Sequence, residues 1–198
     1  MAESLRRRKD MKKSMGAKTL TYPTPAWVVS TYDKEGKPNA MTIAWGGICC
    51  SDPPCVCVSL RKATYSYGNI LHRQAFTVSV PSEKYVKAVD YLGMVSGKNT
   101  DKFGAAGLTP VRSDLVDAPF VKEFPLILEC KLLQSLEIGL HTEFIGQIMD
   151  VKVDEDMLDD KGFPDMDKIK PIVYAPEVRG YYGIGKYLGK AFSIGKEI

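Results

Sequence analysis

Histidine is scarce in this chain: His72 and His141 are the only two among 198 residues. No serine, histidine and aspartate combine into a nucleophilic set, and no pair of carboxylates is framed for acid–base work. Long apolar runs are missing as well. None approaches the ~18 residues of a spanning helix, so no membrane is expected as a partner. The N-terminus is charged and lacks the apolar stretch of a secretory signal, which makes the cytoplasm the expected compartment. The five cysteines, Cys49, Cys50, Cys55, Cys57 and Cys130, contain no Cys-x2-Cys knuckle and have no histidine nearby. Metal binding is therefore not expected; small buried thiols in a reducing compartment are the better account.

Strong charge of one sign is also lacking. The formal net charge is +3. It comes from Arg6, Arg7, Arg8, Lys9, Lys12 and Lys13, which face only Glu3 and Asp10 in that stretch; the remainder holds 21 basic and 22 acidic residues. A body so nearly neutral is not a nucleic-acid surface. Residues 1–17 read as a flexible basic tail and 18–198 as one domain; Met11 could equally open the chain.

What is present is β-rich. Ala26–Tyr32 is β-branched and aromatic, hence a strand. The turn Asp33–Pro38 returns it as a second strand, Asn39–Cys49. A Pro53-Pro54 turn leads to a third, Cys55–Arg61. Thr64–Arg73 reads as a short helix, with the Thr64 hydroxyl expected to accept a free N–H as its cap. Ala75–Val80 is a fourth strand. Ser82 is expected to cap a helix running to Met94, with Tyr85, Val86, Val89 and Leu92 as its apolar stripe. Val95–Leu108 reads as a loop. Leu126–Ile138 and Thr142–Val153 form a long hairpin, and Ile172–Tyr174 a last short strand. Tyr181–Gly195 is aromatic and too glycine-rich for a helix. Strands without strand–helix alternation exclude a Rossmann fold. They predict a mainly β protein with inserted helices, a closed or split β-barrel.

One region combines two unlike chemistries. Asn39, Thr42, Ile43, Ala44 and Trp45 offer a flat wall and strand-edge N–H groups. Ser59, Arg61, Thr64, Tyr65 and Ser66 offer a guanidinium fork and a helix N-terminus, the means of holding phosphate. A planar phosphorylated ligand needs both, and FMN is one. Taken singly, the same residues describe a barrel strand with a core tryptophan, and a surface arginine beside a capped helix.

Several stretches carry a family likeness. They are Tyr22-Pro23-x-Pro25, Asp33-x-x-Gly36-x-Pro38-Asn39-x-x-Thr42-x-x-Trp45, Pro53-Pro54-x-Val56-x-Val58-Ser59-Leu60-Arg61 and Thr64-Tyr65-x-x-x-Ile70. In this order they resemble the flavin reductase-like FMN-binding split-barrel family, and within it the flavoredoxins. The resemblance implies FMN as cofactor, with Asn39, Thr42, Ile43, Ala44 and Trp45 along the ring and Ser59, Arg61, Thr64, Tyr65 and Ser66 at the phosphate. It implies a homodimer in which a second subunit completes the flavin site. Ser96-Gly97-x3-Asp101-Lys102-Phe103 resembles an element of that family that approaches the flavin, so Lys102 or Lys98 adds charge there. His141 matches a histidine placed near the nicotinamide and flavin N5 and is the catalytic candidate. Where flavin reductases of the family carry an acid before it, this chain has Leu140. Two functions follow from the resemblance. One is electron transfer from NAD(P)H through FMN to flavin, ferric or protein acceptors. The other is a carrier between redox proteins, or a flavin-binding protein, without NAD(P)H turnover. His141 also reads simply as a hairpin-turn histidine.

Overall fold

The computed structural model describes residues 12–198, so the basic stretch 1–11 of the expected tail lies outside the described residues. A seven-stranded antiparallel sheet dominates, in the order β3-β2-β6-β9-β10-β5-β4. Its strands are β2 (Trp27–Tyr32), β3 (Pro38–Ile43), β4 (Gly46–Ser51), β5 (Pro54–Arg61), β6 (Ala75–Val80), β9 (Leu126–Ile138) and β10 (His141–Val153). β1 (Thr24–Pro25), β11 (Ile172–Ala175) and β12 (Gly180–Gly183) make a smaller sheet; β7 (Pro110–Arg112) and β8 (Pro119–Val121) pair alone. The helices are α1 (Tyr65–Arg73), α2 (Val86–Met94), α3 (Lys102–Ala106) and α4 (Met166–Ile169). No helix among the described residues is long and apolar enough to cross a membrane.

The expected single strand Asn39–Cys49 is two strands. β3 and β4 are consecutive in sequence yet stand at opposite edges of the sheet. The sheet curls until those edges meet, and Ala44-Trp45 bridges them; the Trp45 carbonyl accepts the Ser59 N–H at 2.9 Å. This seam is the split of the barrel. Gly46 is needed there, because a Cβ would stand 3.0 Å from the Cys57 carbonyl and 3.2 Å from the Trp27 ring.

The interior follows from two-residue alternation. Val56, Val58 and Leu60 of β5 join Phe76, Phe144, Val29 and Ile70 in one cluster. A second cluster lies under α2, where Val89 and Leu92 meet Ala40, Val28 and Phe124. Each such side chain contributes roughly 1.5–3 kcal/mol by leaving water. At Gly146, where the β9–β10 register shifts, a Cβ would come within 2.5 Å of Phe76. Glycine there lets the aromatic ring fill the barrel.

Other expectations change in detail. The Thr64 hydroxyl donates to the Arg61 carbonyl at 2.9 Å and makes no cap bond, so it ties the helix start to the end of β5. Ser82 likewise makes no cap bond and precedes a 3-10 turn, Glu83–Tyr85. The expected loop Val95–Leu108 contains α3, capped by Asp101, whose carboxylate accepts the Gly104 N–H at 3.2 Å. Cys55 and Cys130 are buried, whereas Cys49 and Cys50 are exposed on the edge strand β4. All five thiols are free, and no cluster among the described residues could hold a metal ion.

Candidate functional site

β3 is an edge strand, so every second residue turns unpaired backbone groups outward. Lys102 identifies which ones. Its ammonium donates to the Ala40 carbonyl at 2.6 Å and to the Leu92 carbonyl at 2.7 Å. Ala40 therefore faces away from β2, and by the strand period so does Thr42. The Thr42 hydroxyl donates to the Val89 carbonyl. These bonds lock α2 beside β3 and leave a groove between them.

The groove has two confluent parts that share Gly93 and Met94. One, of about 230 Å³, is lined by Asn39, Met41, Ala63–Ser66, the α2 terminus through Gly97, and Lys102. The other, of about 280 Å³, is lined by Thr42, Ile43, Ala44, Asp90, Tyr174 and Tyr181 among others. At the first end, α1 begins at Tyr65 with extended Thr64 before it. The Tyr67 amide is taken by the Thr64 carbonyl at 3.2 Å, whereas the Tyr65 and Ser66 amides are left open and point out of the helix end with the positive end of its dipole.

Side chains around that end are held firmly. The Tyr65 hydroxyl donates to Asp33 at 2.8 Å. This bond pushes the Tyr65 phenol up to about 12, with burial adding to it. Burial raises Asp33, but the Lys37 N–H and the Tyr65 hydroxyl outweigh it and hold its carboxyl below the usual range. Asn39 is 3% exposed; its amide donates to the Ser66 hydroxyl at 2.8 Å, and its Oδ1 has no partner. Gly97 lies against that oxygen, where a Cβ would overlap the amide. The unpaired Asn39 oxygen needs a donor such as a hydroxyl, and the open helix amides need an anion; a ligand carrying a hydroxylated chain next to a phosphate completes the arrangement. The residues fit FMN.

Lys102 is 4% exposed, and desolvation lowers its pKa to about 8. It floors the groove, and the two ammonium bonds it makes are both to carbonyls. At the other end the Tyr181 hydroxyl donates to Asp90 at 3.1 Å, and burial together with that carboxylate raises the phenol.

The structure thus brings Asn39, Thr42, Ile43, Ala44, Thr64, Tyr65, Ser66 and Lys102 to one groove. It does not bring Trp45, Ser59, Arg61 or His141 into its lining. Trp45 is half-buried in the seam. Ser59 and Arg61 alternate with the core residues Val58 and Leu60, so they point to the outer face of the sheet. His141 opens β10 directly opposite Arg61, and Glu143 opposite Ser59. Among the described residues the Arg61 guanidinium makes no hydrogen bond or ion pair. Lys98 lines a neighbouring depression with Lys34, Lys62 and Ser96. Sequence reasoning missed Met41, Gly93, Met94, Tyr174, Tyr181 and Asp90, which reach the groove only through tertiary packing.

Comparison with known proteins gives concordant results. The flavin reductase like domain matches residues 19–184. The flavoredoxin of Desulfovibrio vulgaris (Miyazaki F) superposes with a TM-score of 0.90 at 57% identity, over 93% of this chain and 100% of that one. A flavoredoxin from Methanosarcina acetivorans gives 0.85 at 30% identity, over 95% and 98%. An uncharacterized protein of Archaeoglobus fulgidus is 34% identical over 115 residues, 58% of this chain and 65% of that one. A split barrel with this seam, matched by the family over most of its length, places the chain in the flavin reductase like domain family.

Proposed function

We propose that the protein is an FMN flavoprotein of the flavin reductase and flavoredoxin type, which takes electrons at bound FMN and passes them to an acceptor. The observation that carries this reading is the groove between β3 and α2 that ends at the start of α1, with its unpartnered Asn39 oxygen and open helix start. When bound, FMN supplies a two-electron centre that can also exchange electrons singly.

The chain's own residues divide the work. The first-turn amides of α1, with Thr64 and Ser66, hold the phosphate and its charge. Asn39 fixes the polar chain between phosphate and ring through the oxygen that is now unpaired. The outward Thr42 backbone and Ala44 lie along the ring edge. Lys102 fixes the groove's width. Arg61 and His141 stand on the outer sheet face, and a second copy packed there completes the site as a homodimer. His141 then orients an incoming nicotinamide or stabilises negative charge on the reduced ring.

Leu140 favours the carrier reading. It is 62% exposed, so no carboxylate stands at its position in the turn to fix the His141 tautomer. Anaerobic mixing of the flavin-loaded protein with NADH or NADPH separates the two readings. Rapid flavin bleaching supports a reductase. Bleaching only with dithionite or a reduced redox protein supports a carrier. No visible flavin absorbance after FMN loading overturns both.

A further inference from the structure

Beyond β12 the last fifteen residues, 184–198, add no strand to any of the three sheets. Their backbone bonds are local: Ser193 and Ile194 donate to the Lys190 carbonyl at 3.3 and 3.0 Å, and Lys196 donates to Ser193 at 3.0 Å. The segment is nevertheless shaped. Ile194 folds back over Gly189, where a Cβ would meet its Cδ1 at 2.5 Å. Phe192 is held at φ +57°, in the left-handed region that an aromatic residue rarely adopts. The consequence is a row of large apolar side chains in water. Leu188 is 80% and Phe192 97% exposed, and Tyr187 and Ile198 are also exposed.

A second apolar surface lies elsewhere on the same chain. The β9–β10 hairpin runs past the barrel, and every residue from Leu133 to Leu140 is exposed. Leu133, Leu136, Ile138 and Leu140 give it an apolar tip. Leu136 and Ile138 lie on the outer sheet face, opposite Glu143 and His141. One chain thus carries both a projecting arm and an apolar seat, as a two-fold assembly requires, since each copy must supply both halves.

We propose that the arm 184–198 of one copy lies across the β9–β10 tip of a second copy, seating Phe192 and Leu188 against its Leu136 and Ile138, reciprocally in both directions. The areas suffice. An aromatic residue buries about 150–250 Å². Two arms with two aromatics and two or three aliphatics each, plus their seats, bury on the order of 2,000 Å², at the upper end of a standard stable interface. Because Ile138 pairs with His141 and His141 with Arg61, the arm of one copy ends beside the outer-face residues of the other. The proposal deepens the dimer proposed above and stands or falls apart from the flavin reading.

The test places the photo-reactive residue p-benzoylphenylalanine at Phe192 in the full chain, mixed with isotope-labelled copies so that cross-links between copies are distinguished by mass. Cross-links between copies that map to residues 132–145 are expected. Leu188→Ser with Phe192→Ser, in the full chain, should weaken dimerisation at least tenfold by sedimentation. FMN titration of the same variant reports separately on the groove. Cross-links confined to one copy, or an undiminished dimer in the double variant, would overturn the proposal. So would a monomer whose arm binds anionic phospholipid vesicles, which would make the arm a lipid contact.

Discussion

Asn39 is nearly dry and yet keeps an amide oxygen without a partner, which makes the groove sensitive to single atoms. Gly97→Ala puts a methyl group onto that amide and must displace it. FMN affinity, followed by fluorescence quenching, should fall at least tenfold while circular dichroism stays unchanged; unaltered affinity would remove Asn39 from the site. Lys102 makes a pH-dependent contribution. Desolvation sets its folded pKa near 8, below the ordinary 10.5 of the unfolded chain. Between those values the unfolded state binds more protons, so this residue's contribution to stability rises with pH. A neutral amine can still donate to both carbonyls. Wild type should therefore gain stability relative to Lys102→Met as pH is raised from 8 to 10.5 in urea titrations, and parallel curves would contradict this. If a second copy's flavin meets the outer face, Arg61→Ala should weaken FMN in the dimer by about 1.5–3 kcal/mol, the scale of a charge-assisted bond. His141→Ala should slow flavin reduction by ~10²-fold or more in stopped flow with little change in FMN affinity, since its effect is made in the transition state.

Elements differ in how plainly the chain announces them. β2, β5, β6 and the β9–β10 hairpin are legible because β-branched residues and turn residues alternate at strand period. α2 is legible from Val86, Val89 and Leu92. The split of Asn39–Cys49 into β3 and β4 is not legible. Ala44-Trp45-Gly46 looks like continuing strand, and only barrel closure sends the two halves to opposite edges. β1 and β12 are too short to carry a pattern and exist because β11 pairs with both. The importance of β12 to the site, through Tyr181, is invisible for the same reason, and that of Tyr174 appears only once β11 is packed beside it. α3 hides inside a polar stretch, although Asp101 with Gly107 in the left-handed region marks both its ends. Asp101→Ala should cost about 1 kcal/mol through loss of the cap. Gly46→Val should cost about 1–3 kcal/mol or more by crowding the seam, read as a lowered urea midpoint.

At the scale of the whole molecule, two surfaces must be related. The groove along β3 holds eight of the residues expected at the flavin, while Ser59, Arg61 and His141 stand on the outer face of the sheet. The first set explains how FMN is gripped; the second acts on it only if another copy packs against that face. The first claim is central, because donor and acceptor both depend on it. Titration of flavin-free protein with FMN and with riboflavin tests it most directly, since the two differ only in the phosphate assigned to the α1 N-terminus. Preference for FMN by about ten- to hundredfold, the worth of one charge-assisted contact, is the expected result. Equal affinity for both, or no binding of either, would contradict the account.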